Sequence, residues 1–481
     1  MVGLANIKNI WRILIDKMNK LKSLNKCIYL YVVIALLGIM YISLCFNHNI
    51  WTDEAFTLQV MREARSVPAV WEYIKHDSHP PFYYLMVRVF TLIFGESILS
   101  VKVFSIIPML LTMGFGPVVL YKKMGFKIAL MYEVLLGTLP CLMEYAIQPR
   151  MYTWAMLFVT LCGFFGYKAV LLEGRVKDFI LFALFGTLSA YTHYFAFAAV
   201  LWIYGIAFLI VIYKRTKRYI LGWLLVCLCS ALMYLPWFKA MAVQVSTGDE
   251  NWIDPIYNFK TILGYFNWLV DIDIPCQSVA FGALFLLSII LLVIHHKNSE
   301  KKVAVYSLLI PVLVVVTGVV LSVAIRPIFV MRYIVPAAGF LCIFLAISFS
   351  YLPNRAYIAL LIFWIFVGGI TYKETWYDEY NSTLTPNTEA FFAENLKEGD
   401  IVSYNWKVYH FAYEYYFDND MLFYIEDIDF NNPEITTVYL LDTAMNPEPD
   451  MDVLGSLGFA MEDMGAYGIE QNDFEIYKIY R

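Results

Sequence analysis

Apolar residues in this chain run in long blocks rather than at alternating positions. Eleven blocks stand out, at residues 27–46, 100–121, 128–147, 151–171, 178–194, 195–213, 219–238, 276–295, 303–325, 331–351 and 355–372. Most reach the 18 or so residues that a helix needs to cross ~30 Å of hydrocarbon. An open chain crosses hydrocarbon only as helix, because every backbone polar group must be paired within the segment. The pattern predicts a mainly α, multi-pass transmembrane bundle of about 11 spans.

Two longer polar stretches interrupt the blocks. In the first, at 47–99, residues 53–65 and 68–76 have the spacing of short amphipathic helices. Residues 80–95 are apolar and aromatic but short for a span, and are placed at the surface, with a crossing as the alternative. The second stretch, 239–275, reads as a loop able to act as a lid. From about 377 the pattern changes again. Pro386 and Asn387 open a helix that Gly399 stops, and Ile401–Tyr404, Val438–Leu441 and Phe474–Tyr480 read as strands. The tail is expected to be a small α/β domain.

Charge sharpens this division. Residues 1–372 hold 30 Lys/Arg against 17 Asp/Glu, whereas 373–481 hold 5 against 23. The tail is therefore acidic and separate, and the chain carries no basic patch of the kind nucleic-acid binding needs. Basic residues crowd alternate loops: Lys122, Lys123 and Lys127; Lys168, Arg175 and Lys177; Lys214, Arg215, Lys217 and Arg218; Lys297, Lys301 and Lys302; and Arg355. With the N-terminal lysines and arginine these make the inner side, so the N-terminus is expected in the cytoplasm and the tail outside it. The expected domains are a cytoplasmic segment at 1–26, a membrane module at 27–372 and an extracytoplasmic α/β domain at 373–481. The eight cysteines avoid the tail, and those in apolar runs read as small apolar filler.

Candidate chemistry gathers at the outer turns. Asp53 and Glu54 follow the first block in Trp51-Thr52-Asp53-Glu54-Ala55. Their plain reading is negative charge capping a helix; the functional one is a base. His76, Asp77 and His79 precede Pro80-Pro81, which fixes the local backbone. With Asp53 these residue types also suit a divalent metal; a polar wall that holds substrate is the other reading. Arg150 follows Glu144 and Gln148 at the next outer turn. Arg326, Arg332 and Tyr333 bound the tenth block, and His193 sits in Tyr191-Thr192-His193-Tyr194. Arginines at a membrane boundary often snorkel to headgroups. Their guanidinium forks also match phosphate. Acids, histidines and arginines on one membrane face suit transfer of a group from an anionic lipid, with a carboxylate deprotonating an acceptor hydroxyl.

These residues resemble the GT-C glycosyltransferases, in the branch holding the dolichyl-phosphate-mannose protein mannosyltransferases and the bacterial aminoarabinose transferase. Four features carry the resemblance over residues 27–351: Asp53-Glu54, His79-Pro80-Pro81, Arg150-Met151-Tyr152 and Arg332-Tyr333-Ile334-Val335-Pro336. It implies a hexosyl- or pentosyltransferase with a polyprenyl-phosphate-sugar donor, inverting transfer outside the cytoplasm and an extracytoplasmic acceptor. Asp53 matches the family's first-loop acid, implied to act as base or to position the acceptor. Tyr333 matches a tyrosine implied to contact donor phosphate, and Arg150 and Arg332 join it as phosphate candidates. His79 stands before Pro-Pro as in the protein mannosyltransferases. Where the family often has an acid in the second outer loop, this chain has Gln148, with Glu144 one turn earlier; that departs from any metal-dependent or two-carboxylate scheme. A transporter or flippase of lipid-linked sugar would also explain many spans and outer arginines. No paired inverted halves support it.

Overall fold

The computed structural model describes residues 26–46, 50–172, 174–247, 264, 268–270, 277–295, 298–378, 381–444, 451–469 and 472–481. Two compact units emerge. One comprises Met1–Phe46 and Val67–Lys373, the other Asn47–Ser66 and Glu374–Arg481. The first outer stretch is thus shared between them, a division that the hydrophobic pattern does not show. The expected N-terminal segment at 1–26 lies almost wholly outside the described residues.

In the first unit a helix occupies each of the eleven expected ranges. Among the described residues eight are long and apolar enough to span a membrane: Lys26–Leu44, Ile98–Met124, Tyr152–Leu171, Tyr194–Lys214, Lys217–Ser246, Glu300–Ala324, Met331–Ser350 and Asn354–Thr375. Phe126–Thr138 and Pro140–Ile147 make a ninth if taken as one span bent by 64°. The bend has a local cause. Pro140 has no N–H to donate and Leu139 is extended, so the helical ladder breaks between them. The remaining two, Val176–Thr192 and Gln277–Ile294, are helices of 17 and 18 residues. The segment 80–95 forms one 13-residue helix, Phe82–Phe94.

Packing sorts these helices into inner and outer. Met331–Ser350 is buried almost throughout, from Ile334 to Phe349. Lys26–Leu44 and Lys217–Ser246 expose most of their apolar side chains, among them Leu36, Ile39, Leu221, Leu228 and Leu235. Apolar side chains facing outward around a buried centre suit a lipid solvent. The innermost helix begins irregularly, as a 3₁₀ segment at Met331–Ala337 holding Pro336. The helix Lys217–Thr247 runs on past residue 238, so the second outer stretch begins as helix. Most of its remainder, including Gly248–Asp254 and Pro255, lies outside the described residues.

The second unit is an α/β domain with strand order β2-β1-β3-β5-β4. The strands are β1 Ile401–Tyr404, β2 Leu422–Tyr424, β3 Thr437–Asp442, β4 Ala460–Ile469 and β5 Asn472–Tyr480. β1 pairs parallel with β2 and β3, while β3, β5 and β4 pair antiparallel. Both faces are covered, and β3 shows why. Its Tyr439 and Leu441 enter a core with Phe391, Phe392, Tyr413 and Phe474. Its Val438 and Leu440 point the other way, to Leu454, Phe459 and Ile479. The Leu384–Asn395 helix covers the first face, and Gly399, at φ +91°, turns the chain into β1.

Candidate functional site

A buried arginine organises the site in the helical unit. Arg150 follows Pro149 in a tight turn in which its N–H donates to the Gln148 carbonyl at 2.7 Å. Only 2% of it is exposed, so headgroup snorkelling is not its role. Its Nη1 donates to the Tyr84 hydroxyl at 3.3 Å and its Nη2 donates to His79 Nε2 at 3.4 Å. A guanidinium only donates, so His79 Nε2 accepts and the ring proton lies on Nδ1. That Nδ1 then donates to Asp77 Oδ2, 3.1 Å away. Asp77, His79, Arg150 and Tyr84 form one directed chain from carboxylate to guanidinium to phenol. Pro80 and Pro81 hold the loop between Asp77 and the Phe82–Phe94 helix that carries Tyr84.

Electrostatics follow from this packing. Burial alone would raise the Asp77 carboxyl; the His79 ring and the Arg150 guanidinium outweigh it and hold the group below its ordinary range. His193 shifts downward for two reasons that agree. It is buried, and the Arg150 and Arg332 guanidiniums place positive charge around it, so it stays neutral well below the usual histidine range. Neutral His193 accepts the Phe195 N–H at Nδ1, 3.1 Å, capping the Tyr194–Lys214 helix.

Aromatic rings line this group. His193 packs on Tyr152 and Tyr333, with ring centres 5.4 and 5.0 Å away, and lies 6.2 Å from His79. Tyr333 stacks on Phe195 at 4.8 Å. Tyr333 and Arg332 lie on the 3₁₀ opening of the innermost helix, half-buried. Ile334, next in sequence, lines an apolar groove of about 390 Å³ with Leu269, Phe281, Pro311, Val319 and Leu341. Cationic and phenolic groups thus adjoin an oily groove.

The remaining expected residues fall elsewhere. Arg326 is half-buried, before the 3₁₀ segment. His76 is exposed on the turn after the Val67–Ile74 helix. Glu144 is exposed and accepts from Gln148 Nε2 at 3.0 Å. Among the described residues no three His, Cys, Asp or Glu side chains gather to hold a metal ion. The metal reading of His76, Asp77 and His79 also meets a physical objection. The ring nitrogen of His79 that could take a metal faces the Arg150 guanidinium, and His76 points to solvent.

Asp53 and Glu54 belong to the second unit, on the helix Thr52–Glu63. Glu54 is buried and its Oε2 accepts the Trp51 N–H at 2.8 Å, closing the first turn of its own helix. Asp53 is half-buried. Side-chain contacts fasten the helix to the sheet domain. Phe56 meets Phe411 edge-on at 5.1 Å, Arg62 lies over Tyr415 at 5.6 Å, and Gln59 Nε2 donates to Glu414 Oε2 at 2.6 Å. Glu414 Oε1 in turn lies 2.9 Å from His410 Nε2, and His410 Nδ1 lies 2.6 Å from the Tyr404 hydroxyl.

Residue types alone did not single out Tyr84 or Tyr152. Tyr152 stands inside a quoted motif and Tyr84 three residues after one, and only packing shows that they meet His193 and Arg150.

No family model matches the sequence, and no curated protein matches it. Solved structures do match its fold. ArnT from Cupriavidus metallidurans in the apo state superposes with a TM-score of 0.59 at 11% identity, over 94% of this chain and 97% of that one. The same protein bound to undecaprenyl phosphate gives 0.55 at 11% identity, over 94% and 98%. The chain has the GT-C fold: a multi-pass helical membrane unit joined to a small sheet domain.

Proposed function

We propose that this protein is an inverting glycosyltransferase. It would move a sugar from a polyprenyl-phosphate carrier to a hydroxyl outside the cytoplasm. One observation carries the reading. Arg150 is buried with His79 and Tyr84, Arg332 and Tyr333 reach the neighbouring His193, and Ile334, next in sequence, lines an apolar groove. A phosphate with a long hydrocarbon tail matches that juxtaposition in charge and in polarity. The fold shared with a protein crystallised with undecaprenyl phosphate supports the same ligand class.

The chemistry assigned to these residues is simple. The acceptor oxygen attacks the sugar C1 from the side opposite the phosphate. The C1–O bond to phosphate breaks, and its electron pair leaves with the lipid phosphate. The arginines and Tyr333 stabilise that charge as it grows, which lowers the barrier more than equal binding of the intact donor would. Asp53 takes the acceptor proton, a role proposed from the resemblance of its motif. Glu54 is assigned to holding the helix of Asp53, as its bond to Trp51 suggests. Orientation of this face away from the cytoplasm rests on the Lys/Arg bias of the loops.

The test uses the purified full-length protein in lipid nanodiscs. Undecaprenyl phosphate should bind wild type, and Arg332→Ala should weaken it with the fold intact. Unchanged binding in both Arg332→Ala and Arg150→Ala would remove the phosphate assignment. Mass spectrometry of surface glycans after deletion of the protein identifies the sugar and the acceptor.

A further inference from the structure

At the opposite end of the helical bundle lies a second cavity, of about 240 Å³. Tyr152 starts its helix at the arginine site; Tyr167 and Leu172, at the far end, line this one. Four helices enclose it: Ile98–Met124, Tyr152–Leu171, Glu300–Ala324 and Met331–Ser350. Phe115, Phe164 and Phe340 make much of its wall.

Its polar groups are what single it out. Thr160 and Ser307 line it, are 2% and 1% exposed, and their hydroxyls have no hydrogen-bond partner among the described residues. A buried hydroxyl without a partner costs roughly 1–3 kcal/mol, and a helical Thr or Ser ordinarily avoids that by bonding back to its own ladder, as Thr112, Thr138 and Thr187 do here. These two do not. Lys123 and Glu300 complete the lining. Lys123 is exposed, with no ion-pair or hydrogen-bond partner among the described residues. Glu300 is half-buried and accepts from the Tyr351 hydroxyl at 3.0 Å. Ser307 lies seven residues beyond Glu300 on one helix, or roughly 10 Å deeper at about 1.5 Å per residue.

We infer that this cavity is a binding site for a glycerophospholipid whose headgroup carries a primary amine. The order of groups matches such a lipid from the headgroup inward. Lys123 takes the phosphate and Glu300 accepts from the ammonium. The Ser307 and Thr160 hydroxyls donate to the two ester carbonyls, and the phenylalanines meet the first methylenes of the chains. The cavity volume accommodates this glycerol-and-ester region, with the chains continuing into the bilayer. The inference is independent of the transferase reading, because none of these residues belongs to the arginine site.

The test compares lipids on the wild-type protein before any variant is made. Full-length protein is stripped of lipid in detergent, supplied with phosphatidylethanolamine or phosphatidylcholine, and examined by native mass spectrometry. The two lipids share phosphate and esters, but trimethylation removes the N–H donors that Glu300 would accept. Ethanolamine lipid should be retained roughly tenfold better, the factor expected for one charge-assisted hydrogen bond. Glu300→Gln should erase that preference, and a Thr160→Val, Ser307→Ala pair should lower retention of both lipids. A thermal unfolding midpoint checks that the variants fold. Equal retention of the two lipids by wild type overturns the assignment, as does retention that no variant alters. Binding of undecaprenyl phosphate at the other end should be unchanged in all variants, so failure here is distinguishable from failure of the transferase reading.

Discussion

The helical unit and the sheet unit handle polar groups in opposite ways. In the sheet unit, polar side chains lie mostly at the surface over two aromatic and aliphatic cores, as in ordinary water-soluble domains. In the helical unit the apolar side chains face outward as well as inward, and polar groups such as Arg150 and His193 are buried. Burying a guanidinium is costly unless it is hydrogen-bonded. Such a cost in a membrane unit points to function, whereas an exposed carboxylate in the sheet unit, one of 23 acids at residues 373–481, points to nothing in particular. The exception is Asp53. It belongs to the sheet unit by packing, but to the first outer stretch by sequence.

The largest expected effect tests that exception. Asp53→Asn keeps shape and removes the base, so transfer should fall by roughly 10²–10⁴-fold with undecaprenyl phosphate binding retained. Near-normal turnover would end the assignment of Asp53 and leave the arginine site standing. Next comes Arg150. Replacing it with Ala strands His79 and Tyr84 and should weaken undecaprenyl phosphate binding by roughly 10-fold or more, measured by titration. Arg150→Lys should rescue little, since one ammonium cannot reproduce a two-armed fork.

A third prediction concerns pH in the helical unit. His193 is shifted down on folding, so the unfolded chain takes up its proton first and stability should decline as pH falls through the ordinary histidine range near 6.5. Asp77 is also shifted down; its contribution is present above the usual carboxyl pKa of 3.8 and is lost only as pH falls through the lower folded value. Thermal midpoints between pH 8 and pH 5 should therefore drop in wild type and drop less in His193→Asn. Parallel curves for the two would remove His193 as the cause. The smallest effect should come from the fastening of the Asp53 helix. Phe411→Ala removes an edge-on ring contact worth about 0.5–1.5 kcal/mol beyond its buried area. It should reduce turnover while leaving undecaprenyl phosphate affinity unchanged, a split that general unfolding would not give.

Much of this organisation is legible in the sequence because water and hydrocarbon each write a simple pattern. Long apolar blocks gave a helix in every expected range, β1 and β3 read as short runs of strand-forming residues, and β5 alternates. β2 is three residues long, and β4 carries Gly465 and Gly468 with an irregular register between Asp463 and Ala466, so neither leaves a period-two signal. Span length was harder. Val176–Thr192 carries Lys177 and Asp178 in its first turn, so the helix there begins before the apolar block does. Within the site, Arg150, His79 and Tyr333 stand out by residue type. Tyr84 does not, because its bond to Arg150 joins residues 66 apart and exists only through packing. The same holds for Phe56 and Phe411, whose contact assigns residues 47–66 to the sheet unit.

That assignment has a consequence for the order in which the protein is made. Gln59 and its partner Glu414 are separated by 355 positions. A ribosome working from the N-terminus releases the Thr52–Glu63 helix early, then inserts every apolar block before the sheet exists. Throughout that interval the helix has no core to join, since contacts so distant along the chain close only late. A chain cut short between Thr375 and His410 would hold its membrane spans yet leave this helix without Phe411, Glu414 and Tyr415 to pack against.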